Sequence, residues 1–136
     1  MIVDERMTAF INSLDPGNTP FLNEIEKEAK KTNVPIIRTE MQSFLKVMLA
    51  LRKPMSILEV GCAIGFSALF MSEYAPEGCH ITTIEKYEKR IPVAKENFRR
   101  ADKEEVITFA VCLPIAFVAV IGKRKHDTVT SLVVGS

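Results

Sequence analysis

The 136-residue chain has no tryptophan, two tyrosines and two histidines, and its three cysteines, Cys62, Cys79 and Cys112, form no C-x-x-C pair. An odd number without paired spacing argues against a disulfide framework or a zinc site and fits a reducing cytoplasm. Long apolar runs are also missing: none reaches the roughly 18 residues that a membrane span needs. The first 30 residues carry Asp4, Glu5, Arg6, Glu24 and Glu26 in place of a signal-peptide apolar core. A cytoplasmic domain with no membrane partner is expected. Eighteen basic residues against 17 acidic give a net charge of +1, so no global field draws the chain toward nucleic acid. Acid is scarce at one end only. Sixteen of the 17 acidic residues lie between Asp4 and Glu105, and Asp127 alone follows. Apolar residues at 47% and charged residues at 26% are the balance of one soluble globular domain.

Val3, Met7, Phe10, Ile11 and Leu14 have the spacing of an amphipathic helix over residues 3–13. Asp15-Pro16-Gly17-Asn18 makes a turn. A second helix is predicted from Pro20, with Phe21, Leu22, Ile25 and Ala29 on its inner side. Val34-Pro35-Ile36-Ile37 reads as an extended connector, because proline disfavours helix in the residue before it. A third helix is predicted from Thr39 to Leu51, with Thr39 as N-cap and Phe44, Leu45, Met48 and Leu49 as its buried stripe. Residues 56–60 read as a strand, 61–65 as a tight turn, 66–74 as a helix and 80–84 as a second strand. A helix over about Ile91 to Ala101 and a strand beginning at Val106 complete the pattern. Strands alternating with helices predict an α/β chain with a parallel sheet. Three parts are expected: an N-terminal helical segment over 1–53, a sheet-forming portion over 54–108 and a divergent tail over 109–136.

Glu59-Val60-Gly61-Cys62-Ala63-Ile64-Gly65-Phe66-Ser67 falls between a strand and a helix, where open α/β sheets bind ligands. Gly61 and Gly65 let the backbone turn sharply and approach a ligand. The following helix presents its first N–H groups to the same crevice, and Ser67 adds a hydroxyl. Glu85 closes the second strand, where a carboxylate accepts hydrogen bonds from both hydroxyls of a ribose. Together these residues favour a nucleoside-bearing cofactor. The dinucleotide fingerprint is G-x-G-x-x-G, whereas the spacing here is G-x-x-x-G with Ala63 in place of the middle glycine.

Ile57 to Ser67 resembles the first motif of class I S-adenosylmethionine-dependent methyltransferases, and the implied fold is Rossmann-like. Val34 to Ile37, Ile57 to Ala68 and Ile81 to Glu85 together resemble the cation-dependent O-methyltransferases, which include catechol and caffeoyl-CoA methyltransferases. The bacterial branch similar to tRNA 5-hydroxyuridine methyltransferase matches best in length and wording. The resemblance covers about Ile2 to Thr108. It implies cofactor contacts from Glu59, Gly61, Ala63, Gly65, Ser67 and Glu85, and a backbone contact from Ile37. It further implies S-adenosylmethionine as cofactor, a hydroxyl acceptor, tRNA as a candidate partner and a homodimer for the full-length family. Thr39 and Met41 depart from the proline and small residue expected beside Ile37.

In that family the third strand is followed by a Gly-Asp-Ala-like segment, then by aspartates that bind a divalent cation such as magnesium. The cation would lower the pKa of the acceptor hydroxyl. Nothing after Thr108 matches, and a hard cation wants several oxygen ligands where the tail offers Asp127 alone. No metal ligand and no catalytic residue is therefore assigned. A shifted reading frame is the favoured origin of the tail, ahead of a genuine variant or an alternative strand-rich ending. Lys86, Lys89, Arg90, Lys95, Arg99, Arg100 and Lys103 could meet an RNA backbone, yet interleaved acids suit an ordinary solvated face. An impaired S-adenosylmethionine-dependent O-methyltransferase is the leading expectation. A non-catalytic cofactor-binding remnant and an NAD-dependent oxidoreductase are the alternatives.

Overall fold

The helix start signals work through named side chains. In the computed structural model, which describes residues 4–111 and 131–135, the Asp4 carboxylate accepts the Arg6 N–H at 2.8 Å and caps α1 (Glu5–Ser13). The Thr19 hydroxyl accepts the Leu22 N–H at 3.3 Å and caps α2 (Pro20–Lys31), whose first residue is a proline that has no N–H to satisfy. The third helix, α3, runs over Thr39–Arg52. Thr39 is its first helical residue rather than its cap; extended Arg38 holds the cap position, without a side-chain bond to the helix. Then follow β1 (Ser56–Val60), α4 (Phe66–Tyr74), β2 (His80–Glu85), α5 (Ile91–Arg100), β3 (Ile107–Val111) and β4 (Ser131–Gly135).

The four strands pair in the order β3-β2-β1-β4, each pair parallel. In register, Ile57 lies beside Ile81 and Ile81 beside Ile107, and all three are buried. Against this ladder packs α4, whose residues Phe66 to Met71 are all buried because α2 and α3 cover its far side. Phe70, fully buried, stacks on Phe66 and tilts against Tyr74. Burying one such ring contributes about 1.5–3 kcal/mol. On α5, Ala94 and Phe98 join the same core.

Two expected faces differ from what forms. On α3 the buried side is Gln42, Leu45 and Leu49, while Phe44 is 56% exposed. Gln42 can be buried because its amide donates to the Ile37 carbonyl at 3.0 Å and accepts from Asn18 at 2.6 Å. On α1 the periodic stripe forms but stays uncovered: Met7, Phe10, Ile11 and Leu14 are all exposed. The divergent tail also contributes more than expected, since β4 adds a fourth strand beside β1. Cys112, Pro114, the basic run Lys123 to His126 and Asp127 lie outside the described residues. Among the described residues no helix is long and apolar enough to cross a membrane.

Candidate functional site

Parallel strands end together, so the carboxyl ends of β1 and β2 open one crevice. The chain leaves β1 through a turn that returns at once to β2. The Gly61 and Cys62 N–H groups both donate to the Ile84 carbonyl, at 2.9 and 3.2 Å. Gly61 has φ +94°, Ala63 φ +49° and Gly65 φ +87°. Three left-handed residues within five positions coil the backbone tightly, and the Gly65 N–H closes the coil on the Cys62 carbonyl at 2.8 Å. Left-handed geometry costs an L-residue such as Ala63 about 1–2 kcal/mol.

Glu85 offsets that cost. One of its oxygens, Oε2, accepts the Ala63 N–H at 2.7 Å; the other, Oε1, accepts the Lys86 and Tyr87 N–H groups at 2.8 and 2.9 Å. The predicted ribose-binding carboxylate is thus already fixed at the mouth of the crevice, with about one lone-pair site, on Oε2, left for a hydroxyl donor.

Glu59 and Ser67 lie deeper. Glu59 is 1% exposed, and its two oxygens accept the hydroxyls of Ser67 on α4 and Thr83 on β2. Burial pushes the Glu59 carboxyl above its ordinary range, opposed by those two hydroxyl bonds. Both residues form the wall behind the turn, tying β1, β2 and α4 together. Thr83, the third member, carries no motif signal and was missed from sequence.

Gly65 is constrained from the protein side rather than by a ligand alone. A Cβ built there would lie 2.6 Å from Cε1 of Phe98. Beside it, Asn97 donates from Nδ2 to the Ile64 carbonyl at 2.8 Å. Asn97 and Phe98 were also missed, because a contact 33 positions away leaves no local pattern. Cys62 is buried, and burial pushes its thiol up to about 12. Ile37, on the connector, lines an open groove of about 260 Å³ with Glu26, Lys30, Arg38 and Glu40. Among the described residues no group of three or more His, Cys, Asp or Glu side chains could hold a metal ion.

A glycine turn between strand and helix, a carboxylate at the next strand end and a parallel sheet define a Rossmann-like nucleotide-cofactor fold. Solved structures share it. A Bacillus cereus O-methyltransferase in complex with SAH has a TM-score of 0.77 at 18% identity, over 96% of this chain and 60% of that one. The SAH-bound Podospora anserina methyltransferase PaMTH1 gives 0.75 at 23% identity, over 93% and 56%. The Streptomyces achromogenes O-methyltransferase TomG, in complex with SAM, gives 0.76 at 17% identity, over 98% and 62%. The fold is that of the class I methyltransferases. The chain belongs to the O-methyltransferase family, whose sequence profile matches residues 12–128. That match continues 20 residues beyond Thr108, where the resemblance was expected to end. The chain spans about 54–62% of the length of these solved relatives and of a Klebsiella pneumoniae chain of the same fold.

Proposed function

We propose that this chain is the cofactor-binding portion of an S-adenosylmethionine-dependent O-methyltransferase. The observation that carries the proposal is the Glu85 carboxylate bonded across the crevice to Ala63. It supplies a fixed acceptor for ribose hydroxyls and at the same time occupies the amide that a pyrophosphate would need. The Glu85 carboxylate at the mouth of the crevice suits a cationic ligand better than a dianionic one. When bound, S-adenosylmethionine supplies an electrophilic methyl group on a sulfonium centre. The residues of this chain bind and orient: Glu85 takes the ribose, the coil Gly61–Gly65 shapes the floor, and Glu59 with Ser67 holds that floor rigid from behind. Among the described residues no group of carboxylates is placed to hold a magnesium ion.

Isothermal titration with S-adenosylhomocysteine and with NAD tests this reading. Micromolar binding of S-adenosylhomocysteine and none of NAD is expected. Tighter binding of NAD would make the chain a dinucleotide-dependent protein. Methyl transfer from labelled S-adenosylmethionine to a hydroxyl acceptor separates an active enzyme from a cofactor-binding remnant.

For the acceptor, a hydroxylated tRNA nucleoside is the finer reading, supported by exposed Lys86 and Lys89 directly after Glu85. Arg99 and Arg100 contribute less, being engaged by Glu96 and Glu24. Transfer to catechol but not to tRNA carrying 5-hydroxyuridine would exclude it. A homodimer and a cytoplasmic location complete the proposal; uncovered Phe10, Leu14 and Phe44 support self-association. For the tail, the composition change near Thr108 supports a displaced reading frame, and the family match to Thr128 weighs against it. Sequencing the encoding DNA decides: a Gly-Asp-Ala segment in another frame is required.

A further inference from the structure

One peptide plane of the cofactor turn is held from both ends. A trans peptide points its C=O and N–H in opposite directions. In the Ile64–Gly65 peptide, the N–H donates to the Cys62 carbonyl at 2.8 Å and the C=O accepts from Asn97 Nδ2 at 2.8 Å. Asn97 lies on α5, outside the glycine motif, and is 2% exposed. Its own orientation is set in turn: Oδ1 accepts from Arg100 Nη1 at 3.4 Å, and Arg100 reaches across to Glu24 on α2. Next to it the Phe98 ring fills the space over Gly65.

We propose that Asn97 is a positioning residue for the cofactor site, acting through the Ile64 carbonyl. Rotation of the 64–65 peptide would break both bonds and leave a buried amide without a partner. The clamp therefore keeps the coil in its ligand-ready shape before any ligand arrives, and preorganisation of this kind appears as affinity. A hydrogen-bond donor is required at this position. A carboxylate of the same size would face the Ile64 oxygen with an oxygen of its own. The identity of the ligand rests on the function proposed above; the clamp itself does not.

The experiment combines amide hydrogen exchange by NMR with S-adenosylhomocysteine titration on the wild type, Asn97→Asp, Asn97→Ala and Leu49→Ala. Asn97→Asp keeps the volume and the Arg100 contact and replaces the donor by a charged oxygen; Asn97→Ala removes the donor without adding charge. Both Asn97 variants should speed exchange of the Gly65 amide and weaken binding about tenfold, the size of one hydrogen bond. Leu49→Ala, in the α3 core, should lower Tm while leaving both readings unchanged. In wild-type protein the Asn97 side-chain amide protons should exchange slowly, a measurement that needs no variant to fold. Fast exchange there overturns the proposal. So does an Asn97→Asp protein with unchanged Gly65 exchange and affinity, or a Leu49→Ala protein with the same losses. If the wild type binds no S-adenosylhomocysteine, the cofactor reading falls and the exchange data alone judge the clamp.

Discussion

Glu85 Oε2 lies 2.7 Å from the Ala63 amide nitrogen, so the last residue of β2 holds the apex of the turn that leaves β1. That carboxylate adds to the Gly61 and Cys62 N–H bonds on the Ile84 carbonyl in joining two strands with no direct chain connection at that end. The same group that would receive a ribose also stabilises the left-handed residue opposite it. Glu85→Ala should weaken S-adenosylhomocysteine binding by about 1.5–3 kcal/mol, the range for hydrogen bonds to a charged group. Glu85→Gln, which keeps an acceptor and loses the charge, should fall between. Calorimetric titration of the three proteins checks the order, and equal affinities would leave Glu85 a purely structural strand-end residue.

Gly65→Ala should destabilise the fold by about 2–4 kcal/mol. Part is left-handed strain at φ +87°; part is overlap with Phe98, whose ring is 2% exposed and cannot swing away. Adding Phe98→Leu should relieve the overlap but not the strain. Urea unfolding of the double variant should therefore show a coupling energy of about 1 kcal/mol or more. Strict additivity of the two substitutions would show that the ring does not constrain this position.

What was legible in the sequence was whatever local pattern dictates. Ile57, Val60, Gly61, Gly65 and Pro76 bracket β1 and α4 closely, because β-branched runs, glycine turns and proline stops act within a few residues. The pairing of Glu85 with the glycine turn followed from strand order, and the structure places it there. Periodicity says which face is apolar, not whether anything covers it: the α1 stripe reads like that of α2, yet the α2 stripe is buried against α4 while Met7, Phe10, Ile11 and Leu14 stay exposed. Gln42 displaced Phe44 from the expected core because Ile37 and Asn18 happen to satisfy its amide. The Leu132-Val133-Val134 run carries a strand signal, but its pairing with β1 joins residues about 75 positions apart and leaves no local pattern. Thr83 and Asn97 matter through partners 24 and 33 positions away, a relation that chain order does not encode.

Glu59 should make stability depend on pH in a direction opposite to that of an ordinary paired carboxylate. Burial raises its folded-state pKa above the unfolded value near 4.5. Folded protein then binds this proton more tightly, so the stabilisation is fully present below that value. It is lost as pH rises through the folded pKa, at about 1.4 kcal/mol per pH unit at most. Glu59→Gln should flatten the decline; its oxygen still accepts one of the two hydroxyls, and its amide donates to the other. Urea midpoints from about pH 5 to about pH 8 measure it; parallel slopes for the two proteins would contradict it.

Cys62 should resist alkylation in the folded protein. Its thiol is 1% exposed and pushed up to about 12, so at neutral pH almost none is thiolate, the species that reacts. Iodoacetamide followed by peptide mass mapping should leave Cys62 unmodified until denaturant is added. Labelling of native protein would mean that the turn opens on the timescale of the reagent.

The strand order sets the sequence in which the sheet can assemble. Joining β1 to β2 brings Ser56 to His80, and joining β2 to β3 brings Ile81 to Ile107, whereas joining β1 to β4 brings Ser56 to Ser131. Closing the longest of these loops costs about 1 kcal/mol more than closing the shortest. Central strands can thus associate early, from neighbours in the chain, and β4 docks on an edge already formed. The turn that carries Ala63 lies wholly between β1 and β2, the pair with the shortest loop to close.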